Sequence, residues 1–224
     1  MSSRWLLGLV ASISAVLVTP AAAETRHVVE LFTSQGCSSC PPADAVLSQL
    51  AARPDVLALG FHVDYWDRLG WKDTLGSAAF SERQRAYASR SDGQIYTPQA
   101  VVDGTKHTVG SSKRSINGLM RGALPVDVSI GKTEVAVGSG TGSATLWRVD
   151  FTSRAAVPIK RGENRGKTVT YVNAVRGMTK LGRWNGKATR YDLGPCGARN
   201  GADNCAVILQ SGGGLGKILG AARR

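Results

Sequence analysis

Four cysteines fall into two close pairs, Cys37-Ser38-Ser39-Cys40 and Cys196 with Cys205. Two thiols separated by two residues in a turn close a disulfide with little backbone movement. A thiolate near a helix N-terminus is favoured by unpaired N–H groups and the helix dipole, which lowers the thiol pKa. That chemistry is thiol–disulfide exchange. Cys37 comes first, is expected to be the more exposed, and reads as the nucleophile; Cys40 reads as the resolving thiol that attacks the mixed disulfide. The alternative is an inert Cys37–Cys40 disulfide. Cys196 and Cys205 flank a Gly- and Asn-containing loop and read as a structural disulfide, contributing on the order of 2–3 kcal/mol in the chain-entropy model. The segment His62 to Asp73, HVDYWDRLGWKD, is dense in polar and aromatic residues. His62 is a hydrogen-bonded core residue, or acts on the thiols, or joins Cys37 and Cys40 as a metal ligand, since two thiolates and an imidazole suit Cu(I) or zinc. Trp66 and Trp71 are packing aromatics or the wall of a peptide site.

The elements that must position these residues are readable from periodicity. His27 to Thr33 is β-rich and ends in the polar turn Ser34-Gln35-Gly36, just ahead of Cys37. Pro41-Pro42-Ala43-Asp44 opens a helix with Val46, Leu47 and Leu50 on its apolar face, ending before Pro54. If that helix began at Cys37, Pro41 would crowd its first turn. Proline is comfortable at the first helical position, so a start at Pro41 would leave Cys37 in the loop. Val56 to Val63 is a second strand. Ser77 to Arg90 is a helix with Ala79, Phe80, Ala86 and Tyr87 inward and Arg83, Arg85 and Arg90 outward. Asp103-Gly104, between Gln99–Val102 and Thr105–Val109, is a hairpin signal, and a last helix runs to about Arg121. The order β-α-β-α-β-β-α implies a mixed sheet with helices on both faces. Strand-end loops of such sheets are where sites collect.

Beyond Pro125 the pattern changes to strand-like stretches, Val126–Ile130, Glu134–Val137, Thr145–Phe151 and Thr168–Ala174, separated by Gly, Asn and Ser. These read as a small all-β, sandwich-like domain. The expected organisation is a signal peptide over 1–23, an α/β domain over 24–123, a β-rich domain over 124–211 and a flexible, Gly-rich, basic tail over 212–224. Arg4, the uncharged apolar run Trp5 to Val18 and Ala21-Ala22-Ala23 have the order of a cleaved leader. The run is shorter than the roughly 20 residues that span a bilayer, and no transmembrane segment is expected in the mature chain. The location is periplasmic or secreted, an oxidising setting that suits paired cysteines. A hydrophobic fraction of 42% is enough to bury a core. The net charge of +12 comes from scattered residues without a nucleic-acid-binding motif, so no nucleic-acid partner is implied. No nucleotide, flavin or haem motif is present, and no organic cofactor is implied.

The cysteine pair after the first core strand, Thr97-Pro98 downstream, the Asp103-Gly104 hairpin and the closing helix together resemble a thioredoxin-superfamily domain over roughly His27 to Arg121. More narrowly, Glu30-Leu31-Phe32-Thr33-Ser34-Gln35-Gly36-Cys37 and His62-Val63-Asp64-Tyr65-Trp66-Asp67 resemble a family of bacterial secreted proteins, domain of unknown function family 1223. Gly162-Glu163-Asn164 fits that family too. The superfamily likeness implies a cis Pro98 lying against the cysteines and Thr97 presenting its backbone to a bound peptide. It also aligns Glu30, with one insertion, with the buried acid that accepts the resolving thiol's proton. Two departures are Gly36, where thioredoxins have tryptophan, and Pro41-Pro42 after the second cysteine. The implied function is a periplasmic thiol–disulfide oxidoreductase acting on protein or small-molecule thiols. The alternative is a non-enzymatic copper or zinc carrier, or a protein-interaction module, on the same fold.

Overall fold

The computed structural model describes residues 25–197 and 200–224, so the leader expected over 1–23 lies outside the described residues. Strand β1 (His27–Thr33) leads through the cysteine turn into α1 (Pro41–Ala51), then β2 (Val56–His62), a 3₁₀ turn (Asp67–Leu69) and α2 (Ala78–Ala88). The hairpin β3 (Gln99–Val102) and β4 (Lys106–Val109) and helix α3 (Lys113–Leu119) follow. The rest is β5 (Val128–Ile130), β6 (Glu134–Val137), β7 (Ala144–Pro158), β8 (Thr168–Trp184), β9 (Thr189–Asp192), β10 (Asn204–Gln210) and β11 (Ile218–Arg223). Helix starts follow capping chemistry: Pro41 and Pro42 occupy the first positions of α1, while the Ser77 and Ser112 hydroxyls accept backbone N–H groups at the starts of α2 and α3.

Strands of the second half join those of the first in one large sheet. One mixed sheet runs β11-β10-β7-β8-β2-β1-β3-β4, and β5, β6 and β9 form a small second sheet. β1 and β2 are parallel over seven register pairs, and β8 joins β2 in parallel at Gly60 and Ala174. Alternation sorts the faces. Val29, Leu31, Val56 and Ala58 pack against α1 and α3, whereas Val28, Phe32, Leu57, Leu59 and Phe61 pack with Phe80 and Tyr87 of α2. β10 serves two cores at once: Ala206 and Ile208 join the α2 side, and Cys205, Val207 and Leu209 join the small sheet with Val135, Val137 and Trp184. A strand buried on both faces reads as a continuous apolar run, here Cys-Ala-Val-Ile-Leu. Over these residues the small sheet packs on one end of the large mixed sheet through that shared core.

Two expectations are corrected. The tail over 212–224 is not a loose end: β11 pairs antiparallel with β10, and Ile218 N–H bonds the Asp103 carbonyl at 2.9 Å. Its small residues answer a space requirement, since a Cβ on Gly220 would lie 2.4 Å from the Val126 carbonyl oxygen. Arg83 points inward, not outward. Its guanidinium bonds Glu30 Oε1 at 2.8 Å, the Tyr87 hydroxyl at 2.8 Å and Gln210 Oε1 at 2.9 Å, with Tyr87 donating to the other Glu30 oxygen. Burial draws Arg83 in only because Glu30 is there to meet it. The cluster joins β1, α2 and β10. Removing one partner of a buried charge pair strands the other, at about 3–5 kcal/mol. Glu30→Ala should accordingly lower unfolding free energy by about that much, read from urea titration of the oxidised protein; a change below about 1 kcal/mol would show that the network is not holding the sheet and α2 together.

Candidate functional site

Register brings the predicted residues to one end of the sheet. β1 and β2 are parallel and finish level, with Thr33 opposite His62. β3 runs the other way and begins with Gln99 opposite Phe32, which puts the cis Thr97–Pro98 bond at the same end as the cysteine turn. Trp66 links the two: its Cβ lies 3.1 Å from where a Cβ on Gly36 would stand, and its Nε1 donates to Thr97 Oγ1 at 2.8 Å. The glycine before Cys37 thus makes room for Trp66.

Cys37 and Cys40 form a disulfide, with Cα atoms 5.4 Å apart. Cys40 is the N-cap of α1, and its carbonyl accepts Ala43 N–H and Asp44 N–H. Cys37 stands in the turn ahead of the helix, the arrangement that Pro41 favours. Contrary to the expected exposure of Cys37, both cysteines are fully buried, at 0%; only Ser38 and Ser39 between them are exposed. The cover is the loop joining β7 and β8. Buried Asn164 donates through Nδ2 to the Gln35 carbonyl at 3.0 Å and the Cys37 carbonyl at 2.7 Å. Lys167 Nζ holds its Oδ1 at 2.9 Å, and Glu163 accepts Ser38 N–H at 3.0 Å. The Ser38 hydroxyl first, and its N–H second, hold the exposed Glu163 carboxyl below its usual range. Gly162 lies against Trp71, whose Nε1 donates to Gln35 Oε1 at 2.8 Å. Both tryptophans therefore pack around the turn.

Beneath the turn is a buried ionisable cluster. His62 Nδ1 and Asp73 Oδ2 are 2.9 Å apart, and the same oxygen accepts Gln35 N–H at 2.8 Å. Burial pushes the Asp73 carboxyl up, but His62 and the backbone donors from Gln35 and Leu75 more than reverse this and hold it below its usual range. Tyr171 of β8 packs edge-on against the His62 ring, centroids 4.6 Å apart. Asp44 has no such compensation. Thr33 Oγ1 donates to its Oδ1 at 2.8 Å, yet its buried Oδ2 has no hydrogen-bond partner. Burial pushes Asp44 up to about 7, with His62 and Thr33 pulling the other way and Asp73 adding to the rise.

The predicted residues thus divide. Cys37, Cys40, His62, Thr97 and Pro98 lie at one end of the sheet. Glu30 is tied to Arg83 and Tyr87. His62 is a hydrogen-bonded core residue, and among the described residues no three His, Cys, Asp or Glu side chains converge to hold a metal. Cys196 and Cys205 form the second disulfide, far along the chain in the small-sheet core. Sequence reasoning passed over Asp44, Asp73 and Thr33 and met Asn164 only through the resemblance. One signal was available: Asp44 lies one helical turn after Cys40, in the stripe shared by Ala43, Leu47 and Leu50, where an acid is out of place.

A family model described as "Protein of unknown function (DUF1223)" matches residues 28–210. A crystal structure of an Agrobacterium tumefaciens protein is similar at 34% identity, with a TM-score of 0.76, covering 91% of this chain and 95% of that one. HBP35 of Porphyromonas gingivalis is similar in fold alone, at 13% identity and a TM-score of 0.53, over 90% of this chain and 75% of that one. No curated protein matches.

Two outcomes are expected from this geometry. Asn164→Ala removes its two bonds to the Gln35 and Cys37 carbonyls, each worth about 1 kcal/mol, and leaves the Cys37 carbonyl only the Cys40 N–H at 3.2 Å. Reduction of the Cys37–Cys40 disulfide by dithiothreitol should then speed up about tenfold or more, while β1 amides keep their hydrogen-exchange protection; an unchanged rate would mean that the sulfurs are reached by another route. Folded Asp44 holds its proton more tightly than the unfolded chain does, about 7 against 3.8. Its contribution to stability is therefore complete below about pH 4 and is lost as pH rises towards about 7. Asp44→Asn should remove that slope in urea unfolding of the oxidised protein, and parallel curves for the two proteins would contradict the assignment.

Proposed function

Since the chain belongs to this family of unknown function (DUF1223), we propose its role from the site itself: a thiol–disulfide exchange protein of the cell envelope, on a thioredoxin-like first half, working through Cys37 and Cys40. The observation that carries the reading is the disulfide in the turn ahead of α1, at the sheet end where the cis Thr97–Pro98 bond also lies. A disulfide serving only as a staple needs none of the apparatus around it. Two oxidisable pairs and a leader-like N-terminus fit an oxidising compartment. Among the described residues no helix is long and apolar enough to cross a membrane.

In the reduced form the Cys37 thiolate attacks a partner disulfide, forming a mixed disulfide and expelling the partner's other sulfur as a thiolate; Cys40 then attacks Cys37 Sγ, closing the disulfide and releasing the second partner sulfur as a thiolate. Cys37 lies in the turn, three residues before the Cys40 N-cap of α1, and so draws less on the helix dipole than a cysteine at the cap would. Thr97 offers its backbone to the partner chain. The oxidised pair is sealed, so exchange starts with the Glu163–Asn164 loop lifting from the turn. That loop and its neighbour carry exposed Lys160, Arg161, Arg165, Lys167, Arg68 and Lys72. Their field favours a thiolate leaving group and steers acidic partners to the turn.

The deciding experiment is the reduction potential of Cys37–Cys40, by alkylation of the purified protein across a glutathione series. A reversible transition above about −300 mV supports exchange, since structural disulfides typically lie below that value. A pair that stays oxidised throughout makes the disulfide a staple and ends this reading.

A further inference from the structure

The acid that the superfamily resemblance nominates for proton transfer, Glu30, is not free to do it. One carboxylate oxygen accepts Arg83 Nε and the other accepts the Tyr87 hydroxyl, and Arg83 and Tyr87 are themselves held by Gln210. Both carboxylate oxygens are therefore committed to a buried guanidinium and a phenol.

Asp44 is the opposite case. It is 6% exposed, one turn after Cys40 on α1, and its N–H bonds the Cys40 carbonyl at 3.1 Å. Residues four apart on a helix lie on one face, so the Asp44 carboxyl and the Cys40 side chain share a side of α1. Only Oδ1 is used, by Thr33; Oδ2 is buried and unpartnered. An orphaned buried acceptor costs about 1–3 kcal/mol, and no protein group among the described residues bonds Oδ2 in the oxidised form. In the disulfide Cys40 has no proton. In the dithiol it does, and the S–H is a donor lying on the same helix face as that oxygen.

We propose that Asp44 accepts the Cys40 proton when the mixed disulfide resolves, and returns it when the disulfide is reduced; this rests on the exchange reading above. The Asp44 carboxylate takes the proton from Cys40 Sγ, the Cys40 thiolate attacks Cys37 Sγ, and the Cys37–Cys40 bond forms as the bond from Cys37 to the partner sulfur breaks. The partner leaves as a thiolate and is protonated by water. Two electrons pass from the dithiol to the partner's disulfide. The titratable and polar groups around the Asp44 carboxyl are Thr33 on β1, His62 on β2, Asp73 in the following loop and Tyr171 on β8, with Cys40, the N-cap of α1, one turn before it. Asp73, held ionised by His62, raises the proton affinity of Asp44, while His62 and Thr33 restrain it. The result, about 7, lies near the roughly 8.5 of an ordinary thiol, and matched proton affinities are what efficient general bases have. Asp44 would be a base only while ionised, so resolution accelerates as pH rises through that region.

The test follows the reduced full-length protein with 5,5′-dithiobis(2-nitrobenzoic acid) from about pH 5 to about pH 9. The first nitrothiobenzoate released reports Cys37 attack, and the second reports Cys40 attack. For the wild type the second rate should rise with an inflection near neutrality. Asp44→Asn should slow it about tenfold or more at neutral pH and move the inflection towards the thiol range, leaving the first release within about twofold. Thr33→Val keeps the carboxyl but removes the bond that holds its proton affinity down, and should move the inflection to higher pH, which a merely structural role would not do. If the wild type releases no second equivalent, the exchange reading falls and the Asp44 assignment with it. If the wild type releases both and Asp44→Asn keeps its second rate and profile, only the Asp44 assignment is overturned; an unmoved inflection in Thr33→Val overturns it too.

Discussion

Strand β2 gives one edge to β1 along its whole length, and β8 takes the other in parallel at Gly60 and Ala174. Asn173, with a left-handed backbone, clips the seam by donating Nδ2 to the Ala58 carbonyl at 2.9 Å. On the N-terminal side of the seam the β7–β8 hairpin crosses α1, brings Tyr171 against His62 and sets Asn164 on the cysteine turn. Without the seam the two halves would have separate sheets and the disulfide would face solvent.

The same interior contains two polar systems with opposite electrostatic character. Around Glu30 every charge is answered: Arg83, Tyr87 and Gln210 satisfy the carboxylate and one another, and Arg83 lies over the Phe61 and Tyr87 rings. Such a network specifies a unique packing of β1, α2 and β10. Around Asp44 the answer is incomplete, because His62 is committed to Asp73 and Thr33 supplies a single hydroxyl. The satisfied system holds structure; the unsatisfied one lies next to the disulfide.

Burial also shapes the site. The disulfide is at zero exposure, and the β7–β8 loop is fastened to its turn by the Asn164 side chain and anchored at its start by buried Ile159.

The local patterns of residues 27–121 were legible because each rests on short-range physics. Pro41 sets the start of α1, β-rich apolar runs mark β1 and β2, Asp103-Gly104 turns a hairpin, and a two-residue spacing lets Cys37 and Cys40 close. Cys196 and Cys205, nine residues apart, were paired on the same ground. What tertiary structure decided was everything that depends on a partner distant in sequence. Whether Glu30 is a proton acceptor or an ion-pair member turns on Arg83, 53 positions away, and whether Cys37 is open turns on Asn164, 127 positions away. The direction in which Arg83 points, the ordering of the tail by β10 and the fusion of both halves into one sheet have the same origin. A side chain's chemistry is written in its own residue, but its environment is supplied by chain segments whose arrival no local pattern records.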